Sequence, residues 1–581
     1  MSGIAGVVRL DGAPAHAESL ARALAYRGPD ATTEWTSGSV ALVHALLRTT
    51  PEDAGVYDDG DLVVVADARL DGVTTTHPAT IAAAWRARGE ACVEHFDGEF
   101  AFAVWDTRTR TLFCARDHFG VKPFVYAHLP GRLFAFASDT RTLLALPEIP
   151  RTLDEQRIAA FLEFRFESRE QTFHSALRRL PGAHTLTLRD GRIALRQYWT
   201  IRDVKPLRLR GGDAAYAEGY REHFLRAVRV RMRATDPREV GSMLSGGLDS
   251  SAIACVARDE LRAAGAPPLP VFSWIFSDAM EADEREFQEH VFAAGGMRPF
   301  VLDSRENHAG PWSDLDALLL DVPPFAPNHY LNVGMARTAR GAGVRILLDG
   351  LAGDITVSRG TARLVELFLR ARIPSFAREL RALARRSGTP ASRLFLSIVA
   401  ARVAPMPLLR LAESLRGRPY GGQRFRSVRE EQMWQLASPF VAEGLELSDR
   451  LVAWLGVEGR YPFLDRRLAE YCVSLPSDQK LADGYSRMVA RRAMEGIVPD
   501  AVRWRAGKGA PALHIVGALR ADHAPLDDFF ARDADLVARW VAIDALRRTD
   551  DALRSERAVG FQSVVRLWTA ATLARWLRMH S

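Results

Sequence analysis

One stretch of the sequence, Val240-Gly-Ser-Met-Leu-Ser-Gly-Gly-Leu-Asp-Ser-Ser-Ala252, constrains the fold more than any other. An apolar run ends in a glycine turn and helix-forming residues follow, which predicts a buried strand leading into a helix. The two glycines lack a Cβ, so backbone N–H groups can come close to a ligand. The helix N-terminus adds free N–H groups and a positive dipole end. The turn predicts a phosphate or pyrophosphate site formed by Ser245, Gly246, Gly247, Asp249 and Ser250.

Asp249 has the wrong charge for a phosphate site, unless it binds a Mg2+ ion that also contacts the phosphates. The alternative is an ordinary strand-to-helix turn in which the serines and Asp249 only cap the helix. The capping role does not require the whole Ser-Gly-Gly-x-Asp-Ser pattern. We therefore expect a nucleotide site at this turn.

Composition describes an ordinary soluble chain of two or more domains. The 581 residues are 48% hydrophobic and 25% charged, and no apolar run reaches the roughly 18 residues that a membrane-spanning helix needs. The N-terminus does not have the pattern of a signal peptide. The four cysteines are scattered without a CxxC spacing, which indicates buried thiols in a reducing compartment. These features predict a cytoplasmic protein that contacts no membrane.

The secondary-structure pattern changes near Tyr198-Trp-Thr-Ile-Arg-Asp203. Short apolar runs typical of strands precede this point, whereas apolar residues recur at helical spacing between Asp213 and Arg231. Strands and helices alternate from there on, which predicts a parallel sheet with helices on both faces. We place the domains at residues 1–205 and 206–581 of an α/β protein.

The stretch Ser245-Gly-Gly-Leu-Asp-Ser250 resembles the pyrophosphate loop of ATP pyrophosphatases that make acyl-adenylates. The whole chain then resembles the asparagine synthetase-like ATP-dependent amidoligases. Within them it is most similar to lasso peptide macrolactam (isopeptide bond-forming) cyclases, with beta-lactam synthetases as close relatives. The resemblance implies a degenerate N-terminal Ntn-type glutaminase-like αββα sandwich. A C-terminal adenine nucleotide alpha hydrolase-like (PP-loop) domain with a parallel sheet would follow, and the enzyme would use ATP and Mg2+.

The resemblance also implies roles for residues outside the loop. Asp354, at the end of Val344-Arg-Ile-Leu-Leu-Asp-Gly-Leu-Ala-Gly-Asp354, would supply a second Mg2+ carboxylate, with a helix cap as its alternative role. Gly350 in this turn would border the nucleotide. Phe272 and Ser273 would lie near adenine, unless both are simply buried strand residues. Lys508 in Trp504-Arg-Ala-Gly-Lys508 would stabilise charge in the transition states, and a surface lysine is the alternative.

The first domain has lost the chemistry of a glutaminase. Ser2 stands where the family uses an N-terminal Cys, and a hydroxyl is the weaker nucleophile. The family's oxyanion-hole stretch Asn-Gly-Glu-Ile-Tyr-Asn reads Ala66-Asp-Ala-Arg-Leu-Asp71. Leu46 replaces the arginine that would pair with the glutamine carboxylate, and the aspartate for the glutamine amine falls near Pro78. We expect a scaffold domain, so the attacking nitrogen must come with the substrate.

The predicted reaction is adenylation of a side-chain carboxylate of a precursor peptide, followed by ring closure with the peptide N-terminal amine. The expected partners are the precursor (lasso core) peptide, a leader peptidase and a leader-binding protein. A beta-lactam synthetase should carry Tyr at position 351, and asparagine synthetases carry Glu there; this chain has Leu351, which cannot act as acid or base. The general base for the amine stays unassigned. A non-enzymatic scaffold would predict a broken nucleotide loop.

Positive charge concentrates between Arg359 and Arg429. This segment holds 16 Arg, no Lys and three acidic residues, a local net charge of +13 in a chain whose net charge is +6. Arginine pairs with carboxylates through two parallel hydrogen bonds. The segment is either a docking surface for an acidic peptide or partner protein, or a set of solvated helix faces. No stacking motif accompanies the arginines, so we do not expect nucleic acid to bind.

Overall fold

The computed structural model describes residues 2–277, 279, 282–304, 310–405, 407, 423–507, 509 and 514–580. Its first part contains two six-stranded antiparallel sheets, with strand orders β10-β8-β9-β1-β3-β2 and β12-β11-β7-β6-β5-β4. The strands are β1 Gly3–Arg9, β2 Ala31–Ser37, β3 Val40–Leu46, β4 Tyr57–Asp58, β5 Leu62–Leu70, β6 Gly98–Asp106, β7 Thr111–Arg116, β8 Val125–Leu129, β9 Leu133–Ala137, β10 Leu177–Arg179, β11 His184–Arg189 and β12 Arg192–Gln197.

The two sheets pack face to face because side chains alternate along each strand. Val63 and Val65 of β5 enter the core between the sheets, whereas Val64 packs outward under a helix. The helices of this part are α1 Glu18–Leu24, α2 His77–Arg88, α3 Thr140–Leu143 and α4 Glu155–Leu162. With α1 and α3 on one outer face and α2 on the other, the predicted αββα sandwich is confirmed.

The second part is built on a five-stranded sheet in which all four pairings are parallel, with the order β15-β14-β13-β16-β17. Its strands are β13 Val240–Met243, β14 Leu269–Ile275, β15 Met297–Asp303, β16 Ile346–Leu348 and β17 Glu458–Arg460. A short hairpin follows with β18 Leu481–Ala482 and β19 Tyr485–Ser486. The predicted parallel sheet is confirmed. Because β13 and β16 are neighbours, the loops after them leave the sheet at the same edge.

Helices cover both faces of the parallel sheet and form two large apolar clusters with it. The described helices are α5 Gly212–Arg231, α6 Leu248–Ala263, α7 Arg285–Ala293, α8 Leu315–Leu319, α9 His329–Gly341, α10 Arg363–Leu369, α11 Ile373–Ser387, α12 Ala391–Leu394, α13 Ala401–Val403, α14 Val428–Leu436, α15 Pro439–Ala453, α16 Arg466–Ser474, α17 Met488–Ala493, α18 Asp500–Arg503, α19 His514–Ala521, α20 Ala524–Asp528, α21 Ala534–Val537, α22 Ile543–Arg554 and α23 Phe561–His580. π-Helical turns span Asp354–Ser358, Phe395–Ala400 and Phe529–Asp533.

All four cysteines are buried free thiols, as the sequence predicts. None of the helices in the described ranges is long and apolar enough to cross a membrane. Asp465 caps α16 by accepting hydrogen bonds from two backbone N–H groups.

Candidate active site

A cavity of about 510 Å3 opens where β13 and β16 end. Its walls are formed by the loop after β13 (residues 244–250, here called the nucleotide loop), the loop after β16, helix α9 and the segments 486–491 and 502–507. The sequence-predicted residues that line it are Ser245, Gly247, Asp249, Ser250, Gly350 and Asp354. An apolar wall of Trp274, Phe276, Leu331 and Met335 completes the lining.

The loop after β13 is held in shape by its own serines. The backbone N–H of Ser245 donates to the Ser250 Oγ over 3.1 Å, and the two hydroxyls lie 3.0 Å apart. Gly246 has a φ of +76°, which a residue with a Cβ rarely adopts. A Cβ there would also come within 3.1 Å of the carbonyl of Glu284. The glycine is therefore required for both the turn and the close approach.

The first turn of α6 is open to an anion. Gly247 is the N-cap residue, and no side chain caps the helix. Asp249 instead points to Arg487, so the interpretation of the loop as an ordinary capped turn has no support in the structure. Uncapped N–H groups at a helix N-terminus bind phosphate groups readily.

The loop after β16 packs directly against the nucleotide loop. A Cβ on Gly353 would lie 2.6 Å from the Asp249 Cγ, and one on Gly350 would lie 3.3 Å from the Ser250 nitrogen. This close packing brings Asp354 next to Asp249. One guanidinium nitrogen of Arg487 contacts both carboxylates, at 2.8 Å in the case of Asp354. Two carboxylates that share one cation this way have the spacing and chemistry to share a divalent ion.

Arg487 and Glu284 are two of the charged site residues that sequence reasoning missed. Arg487 has a φ of +54°, a conformation that costs energy in a residue with a side chain and is often found at functional sites. Glu284 is 6% exposed, and its carboxylate pairs with Arg505 over 2.7 Å. Neither residue belongs to a motif with a fixed spacing from the nucleotide loop. Arg487 is marked in the sequence only by its place between the hairpin around Gly484 and the helix Met488–Ala493.

Lys508 lies outside the described residues, but both sides of its segment are anchored at the cavity. Arg505 pairs with Glu284 and donates to the carbonyl of Gly246 over 3.3 Å. The backbone N–H of Gly509 donates to the Glu284 Oε1 over 2.8 Å. Gly507 lines the cavity itself. Glu284 therefore connects the segment to the nucleotide loop.

The expectation that Phe272 and Ser273 border the nucleotide needs correction. Both are fully buried in β14, and Phe272 stacks on Phe300 at 5.1 Å between ring centroids. The residues of this region that reach the cavity come later in the chain, at Trp274 and Phe276. Residues 272 and 273 lie before the last two residues of β14, which ends at Ile275, and their side chains pack inside the sheet.

Asp349 also lines the cavity, at the carboxyl end of β16. The backbone N–H of Leu351 donates to its Oδ1 over 2.9 Å. Burial raises the pKa of Asp349 to about 6. Leu351 packs against an apolar cluster that includes Phe119 and Trp199 from the first domain.

Ser2 is withdrawn from solvent in the first domain. It is 2% exposed, and its Oγ accepts a hydrogen bond from the backbone N–H of Leu47 over 3.0 Å. The substituted oxyanion stretch contributes to ion pairs instead. Asp67 lies 3.2 Å from the Lys122 ammonium, and Arg69 lies 2.9 Å from Glu458 of the second domain.

These features define a class of protein, a two-domain enzyme with a pyrophosphate-loop synthetase fold. The family model for asparagine synthase matches residues 219–578, and the model for the glutamine amidotransferase domain matches residues 67–199. The chain belongs to the asparagine synthase family. It is therefore an ATP-dependent C–N ligase that forms AMP and pyrophosphate and uses ATP with Mg2+.

Curated relatives that align with most of the chain have a low sequence identity to it. Asparagine synthetase [glutamine-hydrolyzing] 3 of Bacillus subtilis is 25% identical, covering 84% of this chain and 83% of its own. A putative asparagine synthetase [glutamine-hydrolyzing] of Mycobacterium bovis is 26% identical, covering 87% and 86%. Among solved structures, glutamine phosphoribosylpyrophosphate amidotransferase from B. subtilis covers 52% of this chain and 81% of its own. Its sequence identity is 11% and its TM-score 0.26, too low to support an argument.

Proposed function

We propose that this enzyme is a lasso peptide macrolactam cyclase: it adenylates an Asp or Glu side chain of a precursor peptide and joins it to the peptide's N-terminal amine. The observation that carries the proposal is the buried Ser2, whose hydroxyl is bonded to the backbone of Leu47. An ammonia-generating domain needs an accessible nucleophile and an oxyanion hole. Ser2 is not an accessible nucleophile, and the stretch 66–71 supplies no oxyanion hole. The nitrogen therefore arrives as part of the substrate.

The residues of the cavity fit ATP and Mg2+. The uncapped start of α6 and the loop Ser245–Ser250 would hold the phosphates, and Asp249 with Asp354 would hold the metal. ATP supplies the activated carboxylate and the leaving pyrophosphate. Lys508, on the segment that Glu284 anchors, would stabilise negative charge on the phosphate and then on the carbonyl oxygen.

A basic surface beside the cavity supports a peptide as the substrate. We define it as Arg378, Arg381, Arg385 and Arg386 of α11, all of them exposed. The Arg386 guanidinium lies 3.4 Å from the centroid of the Tyr485 ring. Residues 486 and 487, which follow that tyrosine, line the cavity. A substrate that spans both the cavity and this surface must be longer than an amino acid, and the surface favours carboxylate groups.

The remaining expectations belong to the same proposal. A leader peptidase and a leader-binding protein would deliver the precursor, and the reaction would take place in the cytoplasm, where the four free thiols stay reduced. Nucleic acid and membrane have no role in it. Leu351, which packs in an apolar cluster, favours this reaction over that of a beta-lactam synthetase.

Asparagine synthesis is the second candidate, because the curated relatives that align over most of the chain carry that name. One experiment separates the two. The enzyme is incubated with Mg2+, ATP and either a synthetic peptide with a free N-terminal amine and one internal Asp, or L-aspartate with glutamine or ammonium. We expect pyrophosphate release and loss of one water from the peptide mass. An N-acetylated peptide should release pyrophosphate without closing a ring. Asparagine formation, with the peptides inert, would overturn the proposal.

A further inference from the structure

Four carboxylates line or border the cavity, and three of them are neutralised by arginine. Asp249 and Asp354 share Arg487, and Glu284 pairs with Arg505. Within the described ranges, no lysine or arginine forms an ion pair with Asp349. Its one side-chain hydrogen bond comes from the Leu351 backbone. Asp349 is therefore the carboxylate of this group that is not bound to a cation.

The backbone fixes the position of Asp349. Its N–H donates to the carbonyl of Arg460 over 2.9 Å, which continues the register of β16 with β17. The next residue, Gly350, packs against the backbone of Ser250. A carboxylate held at a strand end next to the nucleotide loop is rigid and lies beside the reacting groups.

The second half reaction needs a group of this kind. An α-amino group has a pKa of roughly 8 and is largely protonated at neutral pH, so it must lose a proton before it can attack. A general base works best when its own pKa lies close to the working pH. Neither serine nor arginine in the cavity meets this requirement, and Asp249 and Asp354 are occupied by Arg487.

The surroundings of Asp349 suit a base. Burial raises its pKa, and the N–H of Leu351 offsets the rise only in part. The ionisable group that faces it from the turn after β17 is Tyr461, a buried phenol whose own pKa burial raises well above its ordinary value. Asp354 on its own loop and Asp249 on α6 each pair with Arg487, which lies before α17.

We propose that Asp349 is the general base that takes the proton from the attacking amine. Asp349 takes one proton from the ammonium form of the amine, and the freed electron pair forms the C–N bond to the activated carboxyl carbon. A second N–H proton leaves the nitrogen as the amide forms and is taken up by the departing AMP phosphate. The bond from that carbon to the AMP phosphate oxygen breaks, and AMP leaves with the electron pair. Asp349 then returns the proton to solvent. The assignment rests on the C–N ligase reaction and applies to either proposed amine.

The test separates adenylation from amide formation. Carboxylate-dependent exchange of labelled pyrophosphate into ATP reports adenylation alone, with the synthetic peptide and L-aspartate as probes. We expect Asp349→Asn, which preserves the acceptor for the Leu351 N–H, to exchange within about threefold of the wild type. Amide formation should fall about 100-fold, within the range attributed to general bases.

Hydroxylamine, which is largely uncharged at neutral pH, should still be acylated by the variant. Asp354→Asn, by contrast, should lose exchange itself.

The pH profile gives a second readout. In the wild type the rate of amide formation should rise with pH through a pKa near 6, since the base must be ionised. That limb should be missing from Asp349→Asn. Wild-type amide formation by the variant, or a parallel loss of exchange and amide formation, would overturn the assignment. If L-aspartate is converted to its amide and the peptide is not cyclised, the cyclase proposal is refuted, whereas the assignment of Asp349 is not. Asp478→Asn, an exposed change, is the control for the substitution itself.

Discussion

At the scale of single residues, Arg487 links the two candidate metal carboxylates. Its guanidinium contacts Asp249 and Asp354, two carboxylates whose like charges would otherwise repel each other. The sequence singles out Asp249 because it follows a glycine turn at the end of an apolar run, and Asp354 because its stretch resembles the family's Gly-Asp turn. Sequence reasoning missed Arg487, which is 238 residues away from Asp249 in the chain and has no local pattern. Contacts of that range depend on tertiary packing alone.

Replacing Arg487 should damage adenylation more than stability. We expect Arg487→Met to lower pyrophosphate exchange by about 100-fold or more, because a preorganised positive group is lost where charge develops. Arg487→Lys should retain more activity, since the charge remains but a single ammonium cannot match the guanidinium fork. The exchange rate is measured beside the thermal midpoint of each variant.

Arg492→Met, on the short helix that follows Arg487, is the matched control, because Arg492 pairs with the exposed Asp213 at the surface. Equal exchange rates in the Arg487 and Arg492 methionine variants would contradict the role given to Arg487.

At the scale of elements, the site depends on two neighbouring parallel strands and their loops. The sequence predicted both strands and their glycine turns, because those signals are local. It placed the cavity residues of this region at 272 and 273, two to four residues before Trp274 and Phe276. An apolar run contains no residue that marks where a buried strand ends. The close contact of the two loops follows from the strand order, which no motif encodes.

Gly353→Ala tests that contact. The residue has a φ of −55°, so alanine costs no backbone strain, yet its Cβ would lie 2.6 Å from the Asp249 Cγ. We expect the Asp249 carboxylate to be displaced, the Mg2+ concentration for half-maximal exchange to rise about tenfold or more, and the fold to persist. The measurement is exchange as a function of Mg2+.

Gly444→Ala serves as the comparison, because Gly444 lies within α15 and a Cβ there meets nothing within 4 Å. That variant should keep the wild-type Mg2+ response. An unchanged response in Gly353→Ala would show that the two loops do not fix the metal carboxylates.

At the scale of the whole molecule, the two domains are joined by buried ion pairs. Lys122 of the first domain lies 2.9 Å from Glu458 of β17, and both side chains are fully buried. Arg27 likewise pairs with Asp449 of α15. Lys122 and Glu458 are 336 residues apart in the chain, and nothing in the local sequence of either predicted that they meet. The first domain thus packs against the synthetase domain through buried charges.

Glu458→Gln should weaken this junction in a pH-dependent way. The change leaves the charges of Lys122, Arg69 and Arg460 without their shared carboxylate, and removing one partner of a buried pair costs about 3–5 kcal/mol. Those three cations also hold the pKa of Glu458 well below its ordinary value of 4.5. A carboxylate with a depressed pKa contributes stability above its unfolded-state pKa and loses it as pH falls further. The difference in the free energy of unfolding between wild type and variant, measured by urea denaturation, should therefore be full at neutral pH and shrink below about pH 4.5.

Glu163→Gln, at an exposed pair with Arg165, is the control and should cost less than about 1 kcal/mol at any pH. A gap that stayed constant down to pH 3 would mean that the Glu458 charge does not hold the domains together.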